Sequence, residues 1–150
     1  MGFTLIEVLI GIAVLIILGA ITWGGLTRFQ RSLQLTGAVE DGVSLLADAR
    51  TGTLSSLGKE QYGVHFQSDR VVLFRGVIYI VGDPDNREGA LPRGVEISAI
   101  SLAGGGSDVI FERLTGATDQ YGSITYRLLA DTSQMRTISI LATGLVKSGP

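Results

Sequence analysis

Residues 8–26 of this chain form nineteen consecutive positions without a charge, VLIGIAVLIILGAITWGGL. As a helix, a run of that length matches the hydrocarbon thickness of a bilayer. Trp23 stands near its far end, where an indole suits a membrane interface, and Arg28 and Arg31 close the run. Gly11, Gly19, Gly24 and Gly25 are small enough for close approach of a neighbouring helix, and Gly24-Gly25 is a soft point in this one. A secretory signal would carry a basic stretch first and a shorter apolar core. A helix buried in a small domain is seldom apolar on every face. The pattern predicts a membrane-anchoring helix.

The rest of the chain reads differently. Mean hydropathy is +0.38 over 150 residues, and the excess sits in the first 27, where Glu7 is the single ionisable side chain. Beyond Arg28, Leu35, Val39, Val43 and Leu46 recur at helical spacing toward Leu54 and Leu57, with Gln34, Glu40, Asp41, Asp48 and Arg50 between them. This is a one-sided amphipathic helix. No proline interrupts it, so one long helix is expected from Phe3 to Leu57, weakened at Gly24-Gly25, Gly37 and Gly42, with Gly58 as its C-cap. The expected organisation is residues 1–2 as a leader remnant, 3–27 as the membrane-spanning half-helix, 28–58 as its amphipathic continuation and 59–150 as a β-rich domain.

From Tyr62 the apolar period becomes two. Strands are expected at residues 62–66, 71–74, 77–81, 95–102, 109–111, 124–129 and 135–141. Residues 83–92 are expected to form a polar loop, Gly104 to Gly106 a turn, and residues 131–134 the hairpin turn joining the last two strands. The fold class expected is α+β: a long N-terminal helix whose apolar face is covered by an antiparallel sheet.

Composition excludes several roles. With no cysteine, disulfides, thiol catalysis and cysteine-zinc sites are absent. Net charge is −2 and the 12 Lys and Arg are dispersed, which argues against nucleic acid as a main partner. His65, the single histidine, has no obvious partner acid and no nucleophile motif around it, so a structural role is expected. No nucleophile elbow or phosphate loop occurs, and no enzymatic activity or cofactor is expected. Asp83, Asp85, Asn86 and Glu88 are weak candidates for calcium, but their spacing fits ordinary turn chemistry around Pro84 and Gly89 better. No metal is expected.

The chain opens Met1-Gly2-Phe3-Thr4-Leu5-Ile6-Glu7 and passes directly into the apolar run. This resembles the prepilin signature of type IV pilins and type II secretion pseudopilins. The resemblance implies cleavage between Gly2 and Phe3 by a prepilin peptidase and N-methylation of Phe3. It also implies that Glu7, fifth in the mature chain, pairs with an N-terminal amine during filament assembly. A carboxylate at the edge of a membrane helix is costly and functional by default, which supports the same reading of Glu7. Ala49-Arg50 ending a helix ahead of a strand, then Val109-Ile110-Phe111 with Thr115-Gly116, Ile124 to Leu129, and Ile138-Ser139-Ile140 with Gly144, resemble the GspH/FimT class of minor pilins and pseudopilins, which has an N-terminal helix packed on β-sheets.

The sequence departs from the family in two places. Family leaders carry Lys or Arg before the glycine, whereas Met1-Gly2 stands alone here, as a truncated or a short leader. Gly24 stands where the family often has proline. The resemblance implies other pilin or pseudopilin subunits and the inner membrane as partners. It places the C-terminal domain outside the cytoplasm. Two alternatives stay open: a DNA-binding minor pilin, although Lys147 is the only basic residue near the C-terminus, and a membrane-tethered binding domain or enzyme.

Overall fold

The computed structural model describes residue 2, residues 4–55 and residues 60–149, with the side chains of residues 21–25 outside that set. Helix α1 spans Leu5–Leu54 without interruption. It starts at Thr4, whose carbonyl accepts from Glu7 N (3.1 Å) and Val8 N (3.3 Å) and whose Oγ1 accepts from Glu7 N at 3.4 Å. Thr4-x-x-Glu7 is thus a helix-start signature, with the acid in the first turn where the helix dipole favours it. The expected C-cap Gly58 and the helical residue Leu57 lie outside the described residues, as does Phe3.

The chain divides into two units, Met1–Leu33 and Gln34–Pro150. In the first, the apolar side chains of α1 are exposed on all faces, from Leu5 and Ile6 through Leu15, Ile16 and Ile17. In the second, α1 is one-sided. Leu35, Ala38, Val39, Leu45, Leu46, Ala49 and Thr53 are buried at the i, i+3, i+4 spacing of a single stripe. Thr53 ties off the last turn: its Oγ1 donates to Ala49 O (2.9 Å) and accepts from Tyr62 N (2.9 Å).

Among the described residues eight strands follow: β1 Tyr62–Phe66, β2 Arg70–Arg75, β3 Arg87–Ala90, β4 Val95–Leu102, β5 Asp108–Ile110, β6 Gly122–Leu128, β7 Met135–Ile140 and β8 Val146–Gly149. They form two four-stranded antiparallel sheets, ordered β3-β2-β1-β5 and β4-β6-β7-β8. The α+β class is as expected, with the strands divided between two sheets. Val64, Phe66, Val71 and Val109 from the first sheet and Ile97, Ile124, Tyr126, Leu128 and Ile138 from the second share one core with the stripe of α1. The hairpin joining β6 to β7 has the expected partners, with Ile124 opposite Ile138.

Three strand expectations need correction. Residues 77–81 are not a strand. β2 is already flanked by β1 and β3, so the chain leaving it at Gly76 (φ +106°) has no open edge of β2 to join. Residues 83–92 are not wholly loop, because Arg87–Ala90 forms edge strand β3 against residues 70–73. Its sequence, REGA, lacks the apolar alternation that signals a strand, and its register against β2 is carried by backbone pairing with the Arg70–Glu88 contact beside it. β8, closing the second sheet on β7, was likewise absent from the expected strands.

Candidate functional site

Glu7 is exposed on the first unit of α1, among exposed aliphatic side chains. An apolar surface this continuous on a helix requires a cover of lipid or protein. Among the described residues no helix is long and apolar enough to cross a membrane. The run at residues 8–26 includes positions 21–25, whose side chains are outside the described set. Gly2 is exposed with open space around it. The cleavage position falls between it and Phe3, which is outside the described residues.

Three of the residues singled out above, Arg50, Gly116 and Gly144, meet at one place in the second unit. Arg50 Nε, on α1, donates to Gly116 O at 3.0 Å. Gly144, at φ +76°, packs so closely that a β-carbon there would overlap Gly116 O and lie 2.9 Å from Arg50 Nε. A β-carbon on Gly116 would meet Arg50 Nε at 3.0 Å and the Leu54 methyls at 3.1 and 3.2 Å. Both glycines are therefore required by close packing and by left-handed backbone. The cluster fastens two loops of the β domain to the end of α1.

The four oxygen-bearing residues do not converge. Asp83 Oδ1 accepts from Asp85 N at 2.9 Å, an Asx turn, and Asn86 Nδ2 donates to Ile80 O at 2.8 Å. Asp85 faces Arg75, and Glu88, on β3, faces Arg70, each at 3.4 Å. Among the described residues no group of three or more His, Asp or Glu is placed to hold a metal.

His65 has partners that sequence distance concealed. Its Nδ1 lies 2.5 Å from Asp108 Oδ1, across the β1–β5 pair, and Tyr79 stacks on the imidazole at 4.0 Å with the rings 10° apart. This is a structural hydrogen-bonded pair on a sheet face, without a nucleophile among its contacts. Arg75 forms a second pairing nearby, with Glu60 and Asp85, on the protein surface; Glu60 is the first cause of its raised pKa. An open groove of about 250 Å³ separates α1 from edge strand β3, lined by Ala38, Asp41, Gly42 and Leu45 on one side and Glu88 and Gly89 on the other.

A known structure superposes on this fold. It is the crystal structure of the type IV minor pilin FimU of Pseudomonas aeruginosa (strain PAO1), which superposes with a TM-score of 0.58 over 77% of this chain and 93% of that one. This chain has a type IV pilin fold. At 15% identity the likeness to FimU lies in the backbone rather than in shared side chains. No family model matches the sequence, and no curated protein matches it. Within the pilin fold, the Arg50–Gly116–Gly144 junction belongs to the scaffold, and Glu7 stands on the exposed apolar part of the helix.

Proposed function

We propose that this protein is a structural subunit of a type IV pilus or type II secretion pseudopilus. Prepilin peptidase cleaves it between Gly2 and Phe3 and methylates the new N-terminus at Phe3. The apolar half of α1 holds it in the inner membrane with the β domain outside the cytoplasm. It then packs against other pilin or pseudopilin subunits in the filament core. The observation that carries this reading is a pilin fold joined to a Gly2-Phe3 junction, with a lone Glu7 at the start of an apolar helix.

The chemistry of Glu7 follows from its position. Cleavage leaves an ammonium group at Phe3, at the positive end of the helix dipole, where a cation is disfavoured. Glu7 is four residues on and returns to the same helix face. Its carboxylate neutralises that amine or the amine of a neighbouring subunit. In an apolar filament core an unpaired charge is strongly penalised, so pairing between subunits sets their axial register. Intact mass and N-terminal sequencing of the chain, isolated from membranes of a host with an active prepilin peptidase, test the reading. A start at N-methylated Phe3 is expected. An uncut Met1 start beside a correctly processed control protein refutes it.

A further inference from the structure

Strand β2 is buried on both faces. Val71 and Leu73 belong to the core shared with α1. Val72 and Phe74, which alternation turns to the other face of the sheet, are outside that core and yet only 0% and 1% exposed. This outer face has its own cover, because the chain leaving β2 folds back over it. Tyr79 lies flat on His65, which stands opposite Val72 in the ladder, and tilts against Phe74 with ring centroids 5.7 Å apart. Gly63, opposite Phe74, leaves room for the phenylalanine ring: a β-carbon there would lie 2.5 Å from Phe74 Cζ. The imidazole beneath Tyr79 is fixed at both nitrogens, Nδ1 at Asp108 and Nε2 at 3.2 Å from the Gln67 amide. These side chains form a satellite core on the outer face of the first sheet.

The cover is lightly held. Val77, Ile78, Ile80 and Val81 are between 56% and 80% exposed, so Tyr79 is the apolar side chain of the segment that the closed position shelters. Among the described residues, the segment's backbone bonds at two places. Gly76 N donates to Gln61 O (2.8 Å), and Ile80 O accepts from Asp83 N (3.4 Å) and Asn86 Nδ2 (2.8 Å). Gly76 (φ +106°) and Gly82 (φ +78°) bound the segment, both in open space, where glycine changes conformation at little steric cost. A segment with few buried contacts and few backbone bonds opens well below the free energy of global unfolding.

We propose that residues 76–82 are a strap that opens about Gly76 and Gly82 while both sheets stay paired, with Tyr79 on His65 as its latch. Closed, the strap hides the strip of Val72 and Phe74. Open, it presents that strip and the face of the imidazole to solvent. Opening breaks a ring stack and no ladder bond, so it is a separate event from unfolding. The device lies within the β domain and does not depend on the filament reading.

The chain has no cysteine, so a single thiol reports its own exposure. Val72 and Val64 are both fully buried, on opposite faces of the first sheet. Full-length Val72→Cys and Val64→Cys proteins are labelled with iodoacetamide in detergent under native conditions. The thiol at position 72 is expected to react at least roughly tenfold faster, because the strap uncovers it locally. Its rate should barely change in urea below the unfolding transition, whereas the rate at position 64 should climb steeply, since urea favours openings in proportion to the surface they expose. Tyr79→Ala should raise the urea-independent rate at position 72 several-fold, and Tyr79→Phe, which keeps the ring, should leave it near the parent value. His65→Ala should act like Tyr79→Ala, and the two together should add little, because each removes the same latch. Equal rates with the same urea dependence at both positions would mean that only global unfolding uncovers Val72, and would overturn the proposal. So would a urea-independent rate that Tyr79→Ala leaves unchanged. Phe74→Cys is a second reporter on the same face should Val72→Cys not fold.

Discussion

The phenol oxygen of Tyr126, on β6, stands 2.5 Å from where a β-carbon on Gly42 of α1 would be. Helix and sheet approach each other over this glycine so closely that the tyrosine ring fills the space a side chain would need. Tyr126 is fully buried, and among the described residues its hydroxyl has no hydrogen-bond partner.

This contact makes Gly42→Ala a test with a sign. Replacing a helical glycine by alanine ordinarily gains about 1 kcal/mol. Here the new methyl overlaps a rigid ring and meets Ile138 Cδ1 at 3.1 Å, and overpacking of that kind costs about 1–3 kcal/mol. A net loss of stability is expected in urea denaturation. In a Tyr126→Phe background the overlapping oxygen is gone, and the same substitution should become neutral or stabilising. Equal effects in both backgrounds would mean that the helix and sheet separate to accept the methyl.

Burial, and then the negative charge of Asp41, push the Tyr126 hydroxyl well above its ordinary pKa. The folded state therefore holds this proton after the unfolded state has begun to lose it. The contribution to stability is complete below about pH 10, the ordinary tyrosine value, and is lost as pH rises beyond it. Stability should fall by up to roughly 1.4 kcal/mol per pH unit above that point. Tyr126→Phe should remove this component of the alkaline slope, measured by denaturation at a series of pH values.

The junction at Arg50 predicts a larger effect. Gly144→Ala places a β-carbon on left-handed backbone and into Gly116 O. A loss of more than about 2 kcal/mol is expected from strain and overlap together. Arg50→Ala, which removes one partly buried hydrogen bond, should cost about 1–2 kcal/mol. Thermal melting distinguishes the two, and a Gly144→Ala protein as stable as the parent would show that these loops are not clamped to the helix.

Glu7→Leu separates anchoring from assembly. The substitution lengthens the apolar surface of α1, so membrane insertion should be retained. With the proposed pairing of Glu7 to an N-terminal amine removed, incorporation into filaments should drop to background in sheared-filament fractions. Wild-type incorporation of Glu7→Leu would leave only its favourable place in the first turn, at the positive end of the helix dipole, as the role of this acid.

Calcium is the last test. Asp85 and Glu88 are engaged with different arginines and Asp83 with a backbone amide, so millimolar calcium should leave the melting temperature unchanged. A saturable rise, lost in Asp83→Ala, would assign this loop a binding role.

The long helix, its change from all-round to one-sided apolarity near residue 34, and most strands of the β domain were legible in the chain alone. These features depend on local periodicity, and periodicity is written along the chain. The Gly2-Phe3 pair and Glu7 are a local sequence pattern, and the proposed processing and assembly roles rest on that pattern. It took the folded arrangement to show that residues 77–81 stay outside the sheets while the polar Arg87–Ala90 joins one. Strand formation requires an open edge as well as propensity, and edge availability is set by which strands have already paired. Folding also brings together His65 and Asp108, 43 residues apart, and Arg50 and Gly116, 66 apart. It likewise sets Tyr126 over Gly42, because contacts between layers depend on how the helix stripe meets the sheet, and nothing local encodes that meeting.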